Sequence, residues 1–223
     1  MVQRQHDALS QIAEFSAFQY RQMLLSVEQA LALDPLLLAV VLPDQLACND
    51  LLRRRADNHP FISAMLAISR DGTVRCASAG QGLGINLSDR AYFRDALATD
   101  RFVVGEPVVA RPVPRLVAPV ALRLAGVDPV RGGGMELVVI AAALALDGFV
   151  SRLQELAGGL GLAAASRNLV RIVDARGVVM SDPLMPDRRG SVAEPDPVPW
   201  TLGWVTRPWA WPQARVGGVV RVG

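Results

Sequence analysis

The sequence predicts an α+β protein in which a long N-terminal helix precedes two antiparallel-sheet modules, the second of them small and reduced. Three observations favour this class. Residues 3–33 contain neither proline nor glycine. From residue 62 onward the apolar pattern changes to short β-type runs around an Asp71-Gly72 turn signal. A similar hairpin pattern returns at 169–181, which indicates an internal repeat.

The N-terminal segment 3–33 is predicted to be one helix, which Asp34-Pro35 ends. At 1.5 Å per residue it would span on the order of 45 Å, the length of a spine or stalk. A second helix is predicted at 43–56. The apolar side chains of the first helix recur at helical spacing: Leu9, Ile12, Tyr20, Met23, Val27 and Leu31.

Five strand-like runs are predicted to form the sheet of the first module. The first two make the hairpin around Asp71-Gly72, and a glycine-rich loop follows at 79–87. Ser88 and Asp89 are predicted to cap a short helix, and Asp147 a closing helix that reaches residue 157. The runs are 64–68, 73–78, 102–110, 115–124 and 136–146.

The second module is predicted to repeat the first hairpin in shortened form. Residues 169–181 match 65–76, with Gly177 in the place of Gly72, and only one clear strand follows, at 215–222. We therefore expect four parts. These are helices at 1–58, a first module at 59–157, a linker at 158–168 and the reduced module at 169–223.

The composition excludes several functional classes. All 23 basic residues are arginine and 21 are acidic, so the net charge of +2 does not favour nucleic acid as a partner. No signal-peptide core and no apolar run of membrane-spanning length is visible. The two histidines and two cysteines lack metal-ligand spacing, and glycine clusters without lysine form no phosphate loop. We expect no enzyme, no cofactor and no metal site in this fragment.

The segment around the short helix is the most specific motif of the chain. Asp89-Arg90-Ala-Tyr92-Phe93, followed by Val-Val-Gly at 103–105 and Ala-Pro-Val at 118–120, resembles the double-Cache family. This family comprises PAS-like extracytoplasmic sensor domains of bacterial histidine kinases, diguanylate cyclases and chemoreceptors. The resemblance implies a periplasmic or extracellular domain of an inner-membrane receptor. It also implies membrane spans outside this fragment and a kinase or cyclase output domain.

The resemblance also implies a ligand site in the membrane-distal module. Arg90 would grip an anion, Tyr92 and Phe93 would wall the pocket, and Arg111 and Arg115 would supply a second positive group. A purely structural role is the alternative. In that case Tyr92 and Phe93 lie in the core, and Arg90 pairs with Asp89 or with a strand-end carbonyl.

One departure from the family bears on the ligand. Family members that bind amino acids carry an acid on the last strand of the module, and Ala143 stands at that position here. A buried ammonium group beside Ala143 would lack a partner, at a cost of several kcal/mol. A carboxylate without an amine, or no ligand at all, is therefore expected.

The expected export of the domain affects the interpretation of two further groups of residues. Cys48 and Cys76 form a solitary pair, which favours a disulfide, whereas two buried thiols are the alternative. The tryptophans at 200, 204, 209 and 211 would fill the core of the small module or form an aromatic belt at the bilayer surface. Their proline-rich surroundings favour the core.

Two functional hypotheses remain open at this point. The first is a sensing module that binds a small anionic molecule and passes a shift to the membrane through the N-terminal helix. The second is a ligand-free dimerisation or stalk module. Under both hypotheses we expect a homodimer that contacts its partner through the first helix, because a long apolar face extends beyond a small sheet.

Overall fold

A computed structural model describes residues 2–32, 44–99, 101–111, 116–124, 137–159, 170–173, 179–181, 189–191 and 217–220. The chain forms two compact units. We call residues 25–145 the central unit, and residues 1–24 together with 146–223 the terminal unit. The helix stop at Asp34-Pro35, Arg115 and the four tryptophans lie outside the described residues. The domain boundaries at 58, 157 and 168 stay predictions.

The two N-terminal helices lie close to their predicted positions. Helix α1 runs from Val2 to Leu31 and helix α2 from Gln45 to Asp57. Asp44 caps α2, because its carboxylate accepts hydrogen bonds from the backbone N–H groups of Leu46 at 2.8 Å and Ala47 at 3.3 Å. Residues 25–31 of α1 belong to the central unit, where Val27 and Leu31 are fully buried.

The central unit contains one antiparallel sheet with the strand order β2-β1-β6-β5-β3, and β4 also pairs with β5. The run predicted as one strand at 102–110 is two strands, because Pro107 has no N–H to donate to the ladder. The strands are β1 (Ile62–Ser69), β2 (Val74–Ala77), β3 (Val103–Val104), β4 (Val108–Val109), β5 (Leu116–Arg123) and β6 (Leu137–Leu144).

The Asp71-Gly72 turn joins β1 to β2 as the sequence predicts. Asp71 accepts hydrogen bonds from the Ser69 hydroxyl at 2.6 Å and from the Thr73 N–H at 3.1 Å. These bonds, led by that from Ser69, hold the pKa of Asp71 at about 2. Gly72 has a φ of 86°, and a Cβ there would lie 2.6 Å from the backbone nitrogen of Ser88. Glycine is therefore required at this position.

Helix α2 is fastened to the outer edge of β2. A disulfide joins Cys48 to Cys76, both of them buried, with their Cα atoms 5.9 Å apart. Beside it, Gln45 Nε2 donates to the carbonyl of Arg75 at 3.2 Å, and Asn49 Oδ1 accepts from the N–H of Ala77 at 2.9 Å. Side chains of the helix thus satisfy backbone groups at an edge that would otherwise be unpaired.

Helix α3 (Ala91–Ala98) packs on the sheet and closes the core of the central unit. The predicted cap is wrong in detail. Arg90 occupies the N-cap position without a side-chain capping bond, and the carboxylate of Asp89 bonds elsewhere. The core cluster around this helix comprises Ile68, Val74, Ala77, Leu87, Tyr92, Phe93, Ala96, Ala121, Val139 and Ala141.

The terminal unit contains helix α4 (Leu146–Gly159) and a sheet with the order β8-β7-β9. Strands β7 (Val170–Val173) and β8 (Val179–Ser181) form the hairpin that the internal repeat predicts, and β9 (Gly217–Val220) adds the third strand. Helix α4 ends two residues beyond the predicted limit at 157. Within this unit the rings of Tyr20 and Phe149 meet edge to face, with centroids 5.7 Å apart.

Candidate functional site

A cavity of about 260 Å³ lies in the central unit. Its floor is a row of small side chains in register across three strands, because Ala143 of β6 pairs with Ala64 of β1 and with Pro119 of β5. The glycine-rich loop and the segment 108–111 form the other walls. Ligand pockets for drug-sized molecules are roughly 300–1,000 Å³, so this cavity suits a small molecule. Its polar or charged lining residues are Ser63, Gln81, Arg90, Tyr92 and Arg111.

Arg90 lies where α3 begins, and its half-buried side chain lines the cavity. Its Nη2 donates a hydrogen bond of 3.0 Å to the carbonyl of Val109 on β4. The carbonyl of Val109 thus corresponds to the strand carbonyl with which Arg90 would pair in a purely structural role. The hydrogen bond orients the guanidinium. A guanidinium carries five N–H donors, so one bond to a neutral carbonyl leaves its charge and further donors for an anion.

Tyr92 is the second residue of α3, is buried and lines the cavity. Burial raises the pKa of its hydroxyl, and the nearby Arg90 and Arg111 partly oppose this. Gly105 makes the position possible. A Cβ on Gly105 would lie 2.7 Å from the Cβ of Tyr92 and 3.0 Å from Cγ of Pro119. The missing side chain therefore lets the strand connection pass close behind Tyr92.

Arg111 lies at the rim of the cavity and is held by the segment that precedes α3. Its Nη2 lies 2.5 Å from Oδ2 of Asp89, and its Nη1 donates to the carbonyl of Asn86. The hydrogen bond from Arg111 lowers the pKa of Asp89 below its ordinary value. Sequence reasoning missed this pair, because it assigned Asp89 to helix capping. The two residues are 22 positions apart, and no local spacing signals their contact.

The remaining predicted site residues divide into two groups. Phe93 is 2% exposed and lies in the core rather than on the cavity lining. Its neighbour Tyr92 faces the cavity, so the two aromatic side chains have different environments. Arg115 lies outside the described residues. The structure thus brings Arg90, Tyr92 and Arg111 together around one cavity.

No carboxylate lines the cavity in the part of the chain that the structure describes. Ala143 lies on the lining, and its carbonyl accepts a hydrogen bond of 3.1 Å from the Ser63 hydroxyl. The walls are otherwise formed mainly by alkyl groups, and Arg90 and Arg111 contribute two guanidinium groups. Such an arrangement can hold an anion with an apolar body, and it offers an ammonium group no ionic partner.

Two other kinds of site are absent from the described ranges. No cluster of three or more His, Cys, Asp or Glu side chains there could hold a metal ion. None of the helices in those ranges has the length and apolar character needed to cross a bilayer.

No protein-family model and no curated protein sequence matches this chain, whereas solved structures do. An extracellular ligand-binding receptor from Desulfohalobium retbaense superposes over 83% of this chain and 32% of its own, with a TM-score of 0.57 and 12% identity. This chain thus spans about a third of that receptor's length. The ligand-binding domain of the Pseudomonas fluorescens chemoreceptor CtaA, in complex with L-serine, superposes over 86% of this chain and 78% of its own. The TM-score is 0.56 and the identity is 14%.

A histidine-kinase domain extends this similarity to a second class of receptor. The sensor domain of the V. cholerae histidine kinase DctB superposes over 80% of this chain and 68% of its own, with a TM-score of 0.52 and 14% identity. At such identities the likeness concerns the fold. The order of an N-terminal helix, an antiparallel sheet and further helices in this chain is consistent with Cache or PAS-like sensor domains. The chain therefore has the fold of the extracellular sensor domains of histidine kinases and chemoreceptors, as its resemblance to the Cache family implied.

Proposed function

We propose that this chain is the periplasmic or extracellular ligand-sensing domain of a transmembrane receptor, and that it binds a small carboxylate-bearing molecule in the central-unit cavity. The observation that carries the proposal is the composition of the cavity. Arg90 and Arg111 line it together with Tyr92, and no carboxylate does so in the described residues. The fold supports the sensory role, since it is the fold of extracellular sensor domains.

The guanidinium of Arg90 is the main anion-binding group in this proposal. Its bond to the Val109 carbonyl fixes the side chain before a ligand arrives, so little rotamer entropy is lost on binding. A guanidinium and a carboxylate can form two parallel hydrogen bonds. Hydrogen bonds to charged groups contribute about 1.5–3 kcal/mol each. Tyr92 adds a hydroxyl beside the same anion.

The ligand body is proposed to be small and apolar, without an amine. Alanine and proline side chains form the cavity floor, so they favour methylene groups rather than charged or strongly hydrated groups. Related structures hold amines in some cases: CtaA was solved with L-serine, and the Pseudomonas aeruginosa receptor PctC with GABA. In this chain Ala143 lies on the cavity lining where an acid would be needed for that purpose.

Helix α1 is proposed to carry the signal towards the membrane. Its residues 25–31 belong to the central unit, and Val27 and Leu31 are fully buried there. A ligand that prefers one position of this helix shifts the equilibrium by its differential affinity for the two states. The receptor is proposed to carry a histidine kinase or diguanylate cyclase as its output domain, outside this chain.

A ligand-free dimerisation or stalk module is the second candidate. Phe18 and Leu25 on α1 favour it, because their side chains are 52% and 44% exposed. Pairing of this helix with a partner would remove these apolar side chains from water. The two candidates differ in whether the cavity binds anything, and a homodimer is compatible with both.

Calorimetry with a panel of small monocarboxylates, from acetate to hexanoate, tests the proposal. We expect the parent to bind a member of the panel and Arg90→Ala to lose more than tenfold in affinity, since at least one charge-assisted bond is removed. Arg101→Ala is the matched control, because Arg101 is exposed and does not line the cavity. A folded parent that binds no carboxylate would favour the stalk module. Equal binding by Arg90→Ala would place the anion elsewhere.

A further inference from the structure

The two arginines of the cavity differ in the charge of their partners. Arg90 donates to a neutral backbone carbonyl, that of Val109, and feels the charge of Asp89 only through space, without a hydrogen bond to its carboxylate. Arg111 lies 2.5 Å from a carboxylate oxygen of Asp89, so its charge is compensated locally. Both arginines line the cavity, whereas Asp89 does not. The charged side chains that line the cavity, together with the carboxylate paired to Arg111, therefore carry two positive charges and one negative charge in the described residues.

We propose that Asp89 sets the charge of the ligand, by compensating Arg111 and so restricting the cavity to monoanions. This inference rests on the proposed function, because it concerns the carboxylate that Arg90 binds. The first carboxylate of a ligand meets Arg90, whose guanidinium is not hydrogen-bonded to a carboxylate. A second carboxylate would approach Arg111 next to Asp89, and there it meets repulsion from the aspartate together with attraction to the arginine.

The expected preference for monoanions over dianions depends on how far Arg111 and Asp89 are exposed to solvent. The side chains of Arg111 and Asp89 are 39% and 57% exposed, so water screens their interaction with a ligand considerably. With an effective dielectric constant between those of protein and water, a unit charge about 6–8 Å away changes binding roughly five- to tenfold. We expect a discrimination of this order against dianions, and we expect it to shrink as salt is added.

Substitution of Asp89 by asparagine separates charge from position. Asparagine keeps a side-chain oxygen in the place of Oδ2, so it still accepts a hydrogen bond from Arg111 while removing the negative charge. If Asp89 only positions Arg111, Asp89→Asn changes the affinities for monoanions and dianions in the same proportion. If Asp89 selects the charge, the ratio of the two affinities changes.

The experiment compares ligands of equal carbon number by calorimetry: propionate with malonate, butyrate with succinate, and valerate with glutarate. We expect the parent to prefer the monocarboxylate, and Asp89→Asn to shift the ratio at least fivefold towards the dicarboxylate at low salt. Asp95→Asn removes the same charge from an exposed position that does not line the cavity and should leave the ratio unchanged. Arg111→Gln is the second variant. Relative to the parent, it should shift the ratio of the two affinities in the opposite direction, towards the monocarboxylate.

The outcomes distinguish this inference from the function on which it rests. If the parent binds monocarboxylates but neither Asp89→Asn nor Arg111→Gln changes the ratio, Asp89 does not select the charge and the proposed function stands. An equal change in Asp95→Asn would assign the effect to net charge and would also overturn the inference. If the folded parent binds no member of the panel, the proposed function fails and the inference fails with it.

Discussion

The hydroxyl oxygen of Ser26 on α1 lies 2.9 Å from Nε2 of His59, in the connection between α2 and β1. The other ring nitrogen, Nδ1, accepts a hydrogen bond of 3.4 Å from the N–H of Phe61. An accepting Nδ1 places the proton of the neutral ring on Nε2, which then donates to Ser26. One neutral imidazole therefore ties α1 to the start of the central sheet.

Acidification should weaken this connection. Burial lowers the pKa of His59 below its ordinary value of about 6.5. A histidine with a lowered folded-state pKa contributes stability above the unfolded-state pKa, and this contribution is lost as the pH falls through the folded-state pKa. We therefore expect the melting temperature of the parent to fall as the pH drops below about 6.5, because a protonated Nδ1 would face the N–H of Phe61.

His59→Gln provides the test of that pH dependence. Circular dichroism melts between pH 7.5 and pH 5 should show a weaker decline for His59→Gln than for the parent. His6→Gln is the matched control, since His6 is the other histidine of the chain. An identical decline in the parent and in His59→Gln would assign the acid sensitivity to carboxylates instead.

Loss of the disulfide should destabilise the protein without releasing α2 completely. Cys48 and Cys76 are 28 residues apart, and closing a loop of this size contributes about 3–4 kcal/mol, chiefly through the unfolded state. We expect the double variant Cys48→Ala/Cys76→Ala to lose about this much free energy of unfolding in urea. Asn49 still bonds to the edge of β2 in that variant, so the fold should persist.

Thiol titration checks the pairing directly. Protein from an oxidising compartment should show no free thiol after unfolding without reductant, and two after reduction. Asn49→Ala in the double variant should weaken the contact of α2 with β2 further, because the N–H of Ala77 then loses its partner. Two free thiols in the unreduced protein would contradict the disulfide.

The local features of the fold were predictable from the sequence, because they depend on residues that are close together in the chain. The Asp71-Gly72 turn depends on a carboxylate that bonds within two residues and on a glycine at positive φ, so a short motif determines it. Helix α1 follows from 30 residues without proline or glycine. The location of Arg90 and Tyr92 followed from a resemblance to known sensors, which is information that composition and periodicity do not contain.

The parts that were missed depend on tertiary contacts. Asp89 looked like a helix cap, yet Arg111, 22 residues later in the chain, takes the carboxylate as its partner. Gly105 gave no signal, because only the fold shows that Tyr92 and Pro119 leave no room for a Cβ there. Such features require that β4, β5 and α3 are placed first.

Self-association should depend on the exposed face of α1. Phe18 and Leu25 are seven residues apart on this helix, a spacing that places them on one face, and both are exposed. A second copy of α1 would bury them. We expect weak dimers of the parent by sedimentation, and we expect Phe18→Glu or deletion of residues 1–14 to weaken them while the sheet stays folded. Gln22→Glu adds a charge on the same helix and serves as the control. Unchanged association in Phe18→Glu would move the interface elsewhere.

Gly105→Ala should impair ligand binding by displacing Tyr92. The added Cβ would lie 2.7 Å from the Cβ of Tyr92, closer than two side chains can approach, so Tyr92 has to shift from its position on the cavity lining. Overpacking of this kind typically costs about 1–3 kcal/mol of stability. Gly84→Ala is the control. Its Cβ meets nothing within 4 Å, although its φ of 75° strains the backbone, so it should lower stability without affecting affinity. Equal affinities in the parent and in Gly105→Ala would show that the position of Tyr92 does not matter for binding.

Ala143→Asp should convert the cavity from one that accepts carboxylates into one that accepts amino acids. Ala143 lies on the cavity floor between Ala64 and Pro119, so a carboxylate there would face the bound molecule and receive its ammonium group. Propionate and L-alanine share a carbon skeleton and differ by the amine. We expect the affinity of L-alanine relative to propionate to rise more than tenfold, because an ionic hydrogen bond of about 1.5–3 kcal/mol is gained. Ala143→Asn has nearly the same volume without the charge, and it should leave the ratio close to that of the parent. If asparagine and aspartate change the ratio equally, then the shape of the floor rather than its charge excludes amines, and the absence of an acid at position 143 does not determine the ligand class.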